Sequence, residues 1–155
     1  MGETRAYPGW FAAVFVVLFV AHQVADHWVQ TEHQAATKGA VGWAGRWSCL
    51  KHVGTYTATC AAGLGLLGWA AGPGLYGAPS LLGGLGVSAV THYIADRRAP
   101  LGVIAGWAGH AGFWALGRPR AGQDDNPCLG TGAYALDQSW HYLWLAVSAG
   151  IIAAG

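Results

Sequence analysis

The chain has 155 residues, of which 54% are hydrophobic and only 10% charged, with a formal net charge of +1. Soluble domains carry roughly 25% charged residues, so this composition excludes a water-covered globule and points to a lipid bilayer as partner. With no cluster of Lys and Arg to displace counterions, nucleic acid is excluded as a partner as well.

The length suits one domain, here read as a single integral membrane domain over 1–155. The first apolar run opens with WFAAVFVVLFVA and predicts a spanning helix over 10–30. It lacks the basic start and small-residue cleavage site of a signal peptide, so it is expected to be retained. After a polar loop over 31–49, a second helix is expected over 50–71. Within it Gly63-Leu-Gly65-Leu-Leu-Gly68 matches the dinucleotide fingerprint GxGxxG. That motif needs a strand before it and a helix after it. Inside an apolar helix these glycines, with Gly68-xxx-Gly72, read instead as sites of close helix packing.

A third helix is expected over 79–96, starting at Pro79, where a missing N–H costs little. Residues 101–117 are apolar but short and carry five glycines. They read as one interfacial or re-entrant helix, because a fifth span would invert the last one. A fourth span is expected over 133–153. The predicted fold is therefore all-α: a polytopic membrane bundle of about four transmembrane helices with an extra short interfacial or re-entrant helix.

Lys38, Arg46, Lys51, Arg97, Arg98, Arg118 and Arg120 fall on one side of this topology, and only Arg5 on the other. The positive-inside rule then puts the 31–49 and 97–132 loops in the cytoplasm and both termini outside. The expected location is the cytoplasmic (inner) membrane, crossed several times. Trp10 and Trp69 would mark the outer interface, and Trp28, Trp43, Trp47 and Trp140 the inner one. The three cysteines, Cys49, Cys60 and Cys128, form no CxxC pair and read as small apolar residues.

Polar residues within the spans are few and ordered. His22, Asp26 and Gln30 recur at every fourth position of the first helix, and His92 and Asp96 do so in the third. Asp137, Gln138 and His141 repeat the pair in reverse order, as an antiparallel helix needs to match depths, and His52 stands near the start of the second helix. An Asp at a helix centre costs about 2.5–3.5 kcal/mol on insertion scales, and less near the interface. Something must offset three of them.

His nitrogen with carboxylate oxygen suits a divalent ion of the zinc, manganese or iron kind, held by His22, Asp26, His92, Asp96, Asp137 and His141. Gln30 and Gln138 are expected as hydrogen-bonding support behind these ligands. Lys38 and His52 are expected as the catalytic groups, with Lys51 or Arg97 as further cations facing a phosphate. Such a metal would activate water and polarise a phosphoryl or acyl oxygen. The expected activity is hydrolysis or transfer of a lipid-linked phosphate or ester. Two other readings stay open: a proton or ion pathway, and a non-catalytic, holin-like scaffold whose His–Asp pairs clamp helices together.

His22-xxx-Asp26-xxx-Gln30-Thr31, Lys38, His52, His92-xxx-Asp96 and Asp137-Gln138-xx-His141, taken in order, resemble a bacterial family of small membrane proteins, domain of unknown function 3307. The resemblance covers nearly the whole chain. It departs at His27, where the family usually has Phe, and at Arg97 and Arg98, near which the family often has Lys. It implies a polytopic membrane protein and brings no established activity.

Overall fold

The computed structural model describes residues 7–72, 75–119 and 130–155. Among these, every regular element is helical. Four long helices are α1 (Tyr7–Val24), α3 (Gly42–Ala71), α4 (Ala78–Asp96) and α7 (Gly132–Ala154). Short ones are α2 (Glu32–Thr37), α5 (Ala99–Trp107) and α6 (Ala111–Ala115). The long helices pack in a ring in the order α1, α3, α4, α7, with α7 closing back on α1. Among the described residues one segment, Gly9–Val29, is long and apolar enough by itself to cross a membrane.

Each long helix contributes a buried stripe at helical spacing. Val14, Leu18, Ala21 and Ala25 of α1 meet Tyr56, Cys60 and Leu64 of α3, Leu85 of α4, and Leu145, Ala149 and Ile152 of α7. Gly84 allows the closest approach of α4 to α7, since a Cβ there would collide with Ile152 and the Ser148 carbonyl. Gly63 does the same for α1 against α3, where a Cβ would stand 3.0 Å from a Val17 methyl carbon. The GxGxxG match thus lies inside α3. Its last glycine, Gly68, instead makes room for the Tyr76 ring, whose hydroxyl donates to the Leu64 carbonyl.

Three local features differ from the sequence reading. The second helix begins at Gly42, two turns before the expected 50, so α3 runs 30 residues. The expected loop 31–49 contains α2, started by a reciprocal cap: Thr31 Oγ1 accepts from Gln34 N, and Gln34 Oε1 accepts from Thr31 N. The segment 101–117 is two short helices rather than one. They are broken at Ala108–His110, where Gly109 takes φ +79°. At 1.5 Å per residue the nine residues of α5 reach roughly 14 Å, too short to cross ~30 Å of hydrocarbon. Arg5, Arg120 and Cys128 lie outside the described residues; Cys49 and Cys60 are buried free thiols.

Candidate metal centre

The buried stripes do not stay apolar to the end of the bundle. One turn beyond Leu18, the α1 stripe reaches His22 and then Asp26. One turn before Tyr56, the α3 stripe begins with His52. In α4 it continues from Leu85 and Ser88 to His92 and Asp96, and in α7 it starts at Asp137 and His141 before Leu145. All four histidines are at most 3% exposed. The antiparallel packing brings these ends together.

Asp26 is delivered by a π-helical turn, Ala25–Val29, closed by the Gln30 N–H to the Ala25 carbonyl at 2.8 Å. Such widened turns recur at functional sites. Here it keeps Asp26 directed into the bundle while the chain leaves the helix at Gln30, whose backbone is extended.

The donor atoms stand at coordination spacing. His52 Nε2 is 3.0 Å from His92 Nε2, 3.2 Å from Asp96 Oδ2 and 3.3 Å from Asp26 Oδ1. His92 Nε2 is 3.2 Å from Asp96 Oδ2 and 3.5 Å from Asp26 Oδ1. Ligands 2.0–2.1 Å from a tetrahedral ion lie about 3.3 Å from one another. Three overlapping sets have donors all within 4.8 Å: His22, Asp26, His92 and His141; His52, His92 and Asp96; and Asp96, Asp137 and His141. These buried groups could hold a metal ion.

His22 Nε2 and His141 Nε2 are buried with no hydrogen-bond partner among the described residues, and Asp26 Oδ1 and Asp96 Oδ2 face the His52 and His92 nitrogens at 3.2–3.5 Å. Leaving such groups unpaired costs about 1–3 kcal/mol each, and more for charged ones. For His141 the tautomer follows from geometry. Its Nδ1 stands 2.8 Å from the Asp137 carbonyl, which can only accept. The proton is therefore on Nδ1, and the Nε2 lone pair is turned inward, the usual arrangement of a ligating histidine. His92 is held differently, by stacking on Tyr56 at 3.9 Å between ring centres, with the Tyr56 hydroxyl 2.5 Å from Ser88 Oγ.

The expected ligands His22, Asp26, His92, Asp96, Asp137 and His141 all reach this cluster. His52, expected as a catalytic group, lies among the donors themselves, grouped with His92 and Asp96. Lys38 also comes in, with Nζ 2.7 Å from Asp96 Oδ1. Arg97 makes that contact geometric, because its guanidinium donates to the Lys38 carbonyl at 2.6 Å and to the Ala40 carbonyl at 2.8 Å. Arg97 is thereby committed to the α2–α3 turn and not turned to a substrate. Lys51 is exposed, with its Nζ 5.9 Å from the centre of the Trp47 ring.

Gln138 supports a carboxylate as expected, its amide donating to Asp137 Oδ2 at 3.2 Å. Gln30 makes no such bond; its buried Nε2 has no partner among the described residues. Two supporting groups escaped the sequence reading. Gln23 donates to the Tyr142 hydroxyl, and Tyr142 donates to Gln138 Oε1, which links α1 to α7 behind the donors. Gln23 was visible as a polar residue in an apolar run; Tyr142 carried no signal.

Outside the donors, between the bundle end and α2 and α6, lies a cavity of about 470 Å³. Asp26, Asp96 and Asp137 reach its wall with Lys38 and Arg98, and Trp114 and Tyr134 supply aromatic surface. No family model, curated protein or solved structure matches the chain.

Proposed function

We propose that the chain is a polytopic membrane protein that binds a divalent ion at its cytoplasmic end and hydrolyses or transfers a lipid-linked phosphate or ester. The observation that carries this reading is the meeting of Asp26, His52, His92 and Asp96 donors at 3.0–3.5 Å, with α7 donors within 4.8 Å of them and the His22 and His141 Nε2 atoms buried without a hydrogen-bond partner among the described residues. Zinc, manganese or iron fits the mixed nitrogen and carboxylate set.

The bilayer reading is supported by an inverted distribution of polarity. His22, His52, His92, Asp96 and Ser148 are buried, whereas Val16, Val20, Leu66, Leu82, Val90, Leu143 and Val147 are exposed. On α3 the exposed Trp47 and Trp69 are 22 residues apart, or roughly 33 Å along the axis, close to the ~30 Å of a hydrocarbon core. The resemblance to domain of unknown function 3307 points the same way. Against a proton pathway, Val14, Leu18, Leu64 and Ile152 close the core on the far side of the cluster.

A bound ion would lower the pKa of a coordinated water and polarise the oxygen under attack. Asp26 and Asp96 would hold it at the cavity wall, and Lys38 keeps Asp96 in position. The testing experiment is elemental analysis of protein purified in detergent without chelator. At least one equivalent of zinc, manganese or iron per chain is expected, lost in His141→Ala and Asp26→Ala. Metal near zero in the parent protein, with no thermal response to added zinc, manganese or iron, would remove the reading.

A further inference from the structure

The cavity beside the donors is shaped by two adjacent arginines with opposite assignments. Arg97 is consumed by the carbonyls of Lys38 and Ala40. Arg98 is the one non-glycine residue among those described with positive φ, at 58°. Backbone of this kind is strained for a residue with a Cβ and persists where surrounding structure demands it. The sharp turn sends the two side chains apart, Arg97 to the α2–α3 turn and Arg98 to the cavity wall. Gly39 makes the second path open. A Cβ at Gly39 would stand 3.0 Å from Arg98 Cδ and 3.3 Å from Nε, so the arginine would have to give by a few tenths of an ångström for the smallest side chain and by more for a branched one.

Charge decides what the cavity can take. Asp26, Asp96 and Asp137 oppose Lys38 and Arg98 on its wall, a net charge of −1 that repels anions. One divalent ion on the carboxylates reverses this to +1. Asp96, which lines the cavity, is 4% exposed, and its Oδ2 stands 3.2 Å from both His52 Nε2 and His92 Nε2.

We propose that this cavity recognises a phosphate group, with Arg98 as the recognition residue and Gly39 as the residue that makes room for it. The proposal rests on the metal reading and narrows it to phosphate over a neutral ester. A guanidinium matches two phosphate oxygens at once, and a neutral ester offers it no anion. Aromatic surface from Trp114 and Tyr134 suits the apolar continuation of a lipid phosphate.

The test is calorimetric titration of the manganese-loaded full chain in detergent, freed of excess metal, with methyl phosphate and with dihexanoyl phosphatidic acid. Binding is expected with the metal and lost after chelation. Arg98→Gln should weaken it about tenfold or more, as loss of hydrogen bonds to a charged group predicts, at unchanged manganese content. Arg98→Lys should recover part of the loss, and Gly39→Val should reproduce it. Tighter binding of phosphatidic acid than of methyl phosphate identifies a membrane lipid as the source of the phosphate. Equal binding identifies a soluble one, and both outcomes support phosphate recognition. A parent protein that takes up no metal overturns the metal reading and this proposal with it. Normal manganese content with unweakened phosphate binding in Arg98→Gln overturns the assignment of Arg98 alone.

Discussion

Lys38→Met tests the electrostatic logic of the cluster most directly. Lys38 is 8% exposed and Asp96 4%, with Nζ 2.7 Å from Oδ1. Methionine keeps most of the length of the side chain, one atom short, and removes its charge. Breaking a buried pair in this way costs about 3–5 kcal/mol, because the partner charge is left uncompensated. His52 and His92 stand 3.2 Å from the other oxygen of Asp96 and can take up part of the charge, so the low end, about 3 kcal/mol, is expected. In a chain of this size 1 kcal/mol moves the melting temperature by about 2–4 °C, which gives a fall of about 6–12 °C. The assay is thermal unfolding by circular dichroism in detergent near neutral pH, with chelator and then with metal. A bound ion at 100 times its Kd adds about 2.7 kcal/mol. It should lift the variant at least as far as the parent protein, because the ammonium no longer competes for Asp96. A fall of less than 2 °C in chelator would refute the buried pair. A variant that metal fails to lift would refute coordination by Asp96.

Metal should be released as pH falls, because His and Asp ligands must be deprotonated to bind and acid returns their protons; dialysis at stepped pH with elemental analysis measures this, and retention through strong acid would contradict coordination by these residues. Gly84→Val should destabilise the bundle by about 1–3 kcal/mol through overpacking against Ile152, read by the same thermal assay; an unchanged melting temperature would mean that α4 and α7 do not approach as closely as described. For the proposed four-span topology, cysteines engineered at positions 3 and 154 should both be labelled by a membrane-impermeant reagent from the outside of intact cells. Labelling of only one of them would overturn the even number of spans.

Much of the local architecture was legible in residue order. Long apolar runs specify helices whatever surrounds them, because a backbone short of water must satisfy its own hydrogen bonds. The start of α2 was also written locally, in Thr31 and Gln34, although the polar composition of 31–49 read as loop. The extra turns of α3 were hidden for the same reason: Arg46 and Ser48 interrupt the apolar run, yet the helix continues through them.

For the site, periodicity alone grouped His22 with Asp26, His92 with Asp96 and Asp137 with His141. Each pair shares one helix face, and a shared face is a property of a single segment. His52 has no acidic partner four residues away, so nothing local joined it to the others. Only the packing of α3 between α1 and α4 set its Nε2 against two carboxylates and a second histidine. The π-helical turn at Ala25–Val29, the chain from Gln23 through Tyr142 to Gln138, and the separate tasks of Arg97 and Arg98 were likewise decided in three dimensions. Sequence order declares which donors exist and at what depth they sit. Which donor meets which depends on the angles and offsets at which whole helices pack, and these are set by distant small residues such as Gly63 and Gly84 that carry no chemistry of their own.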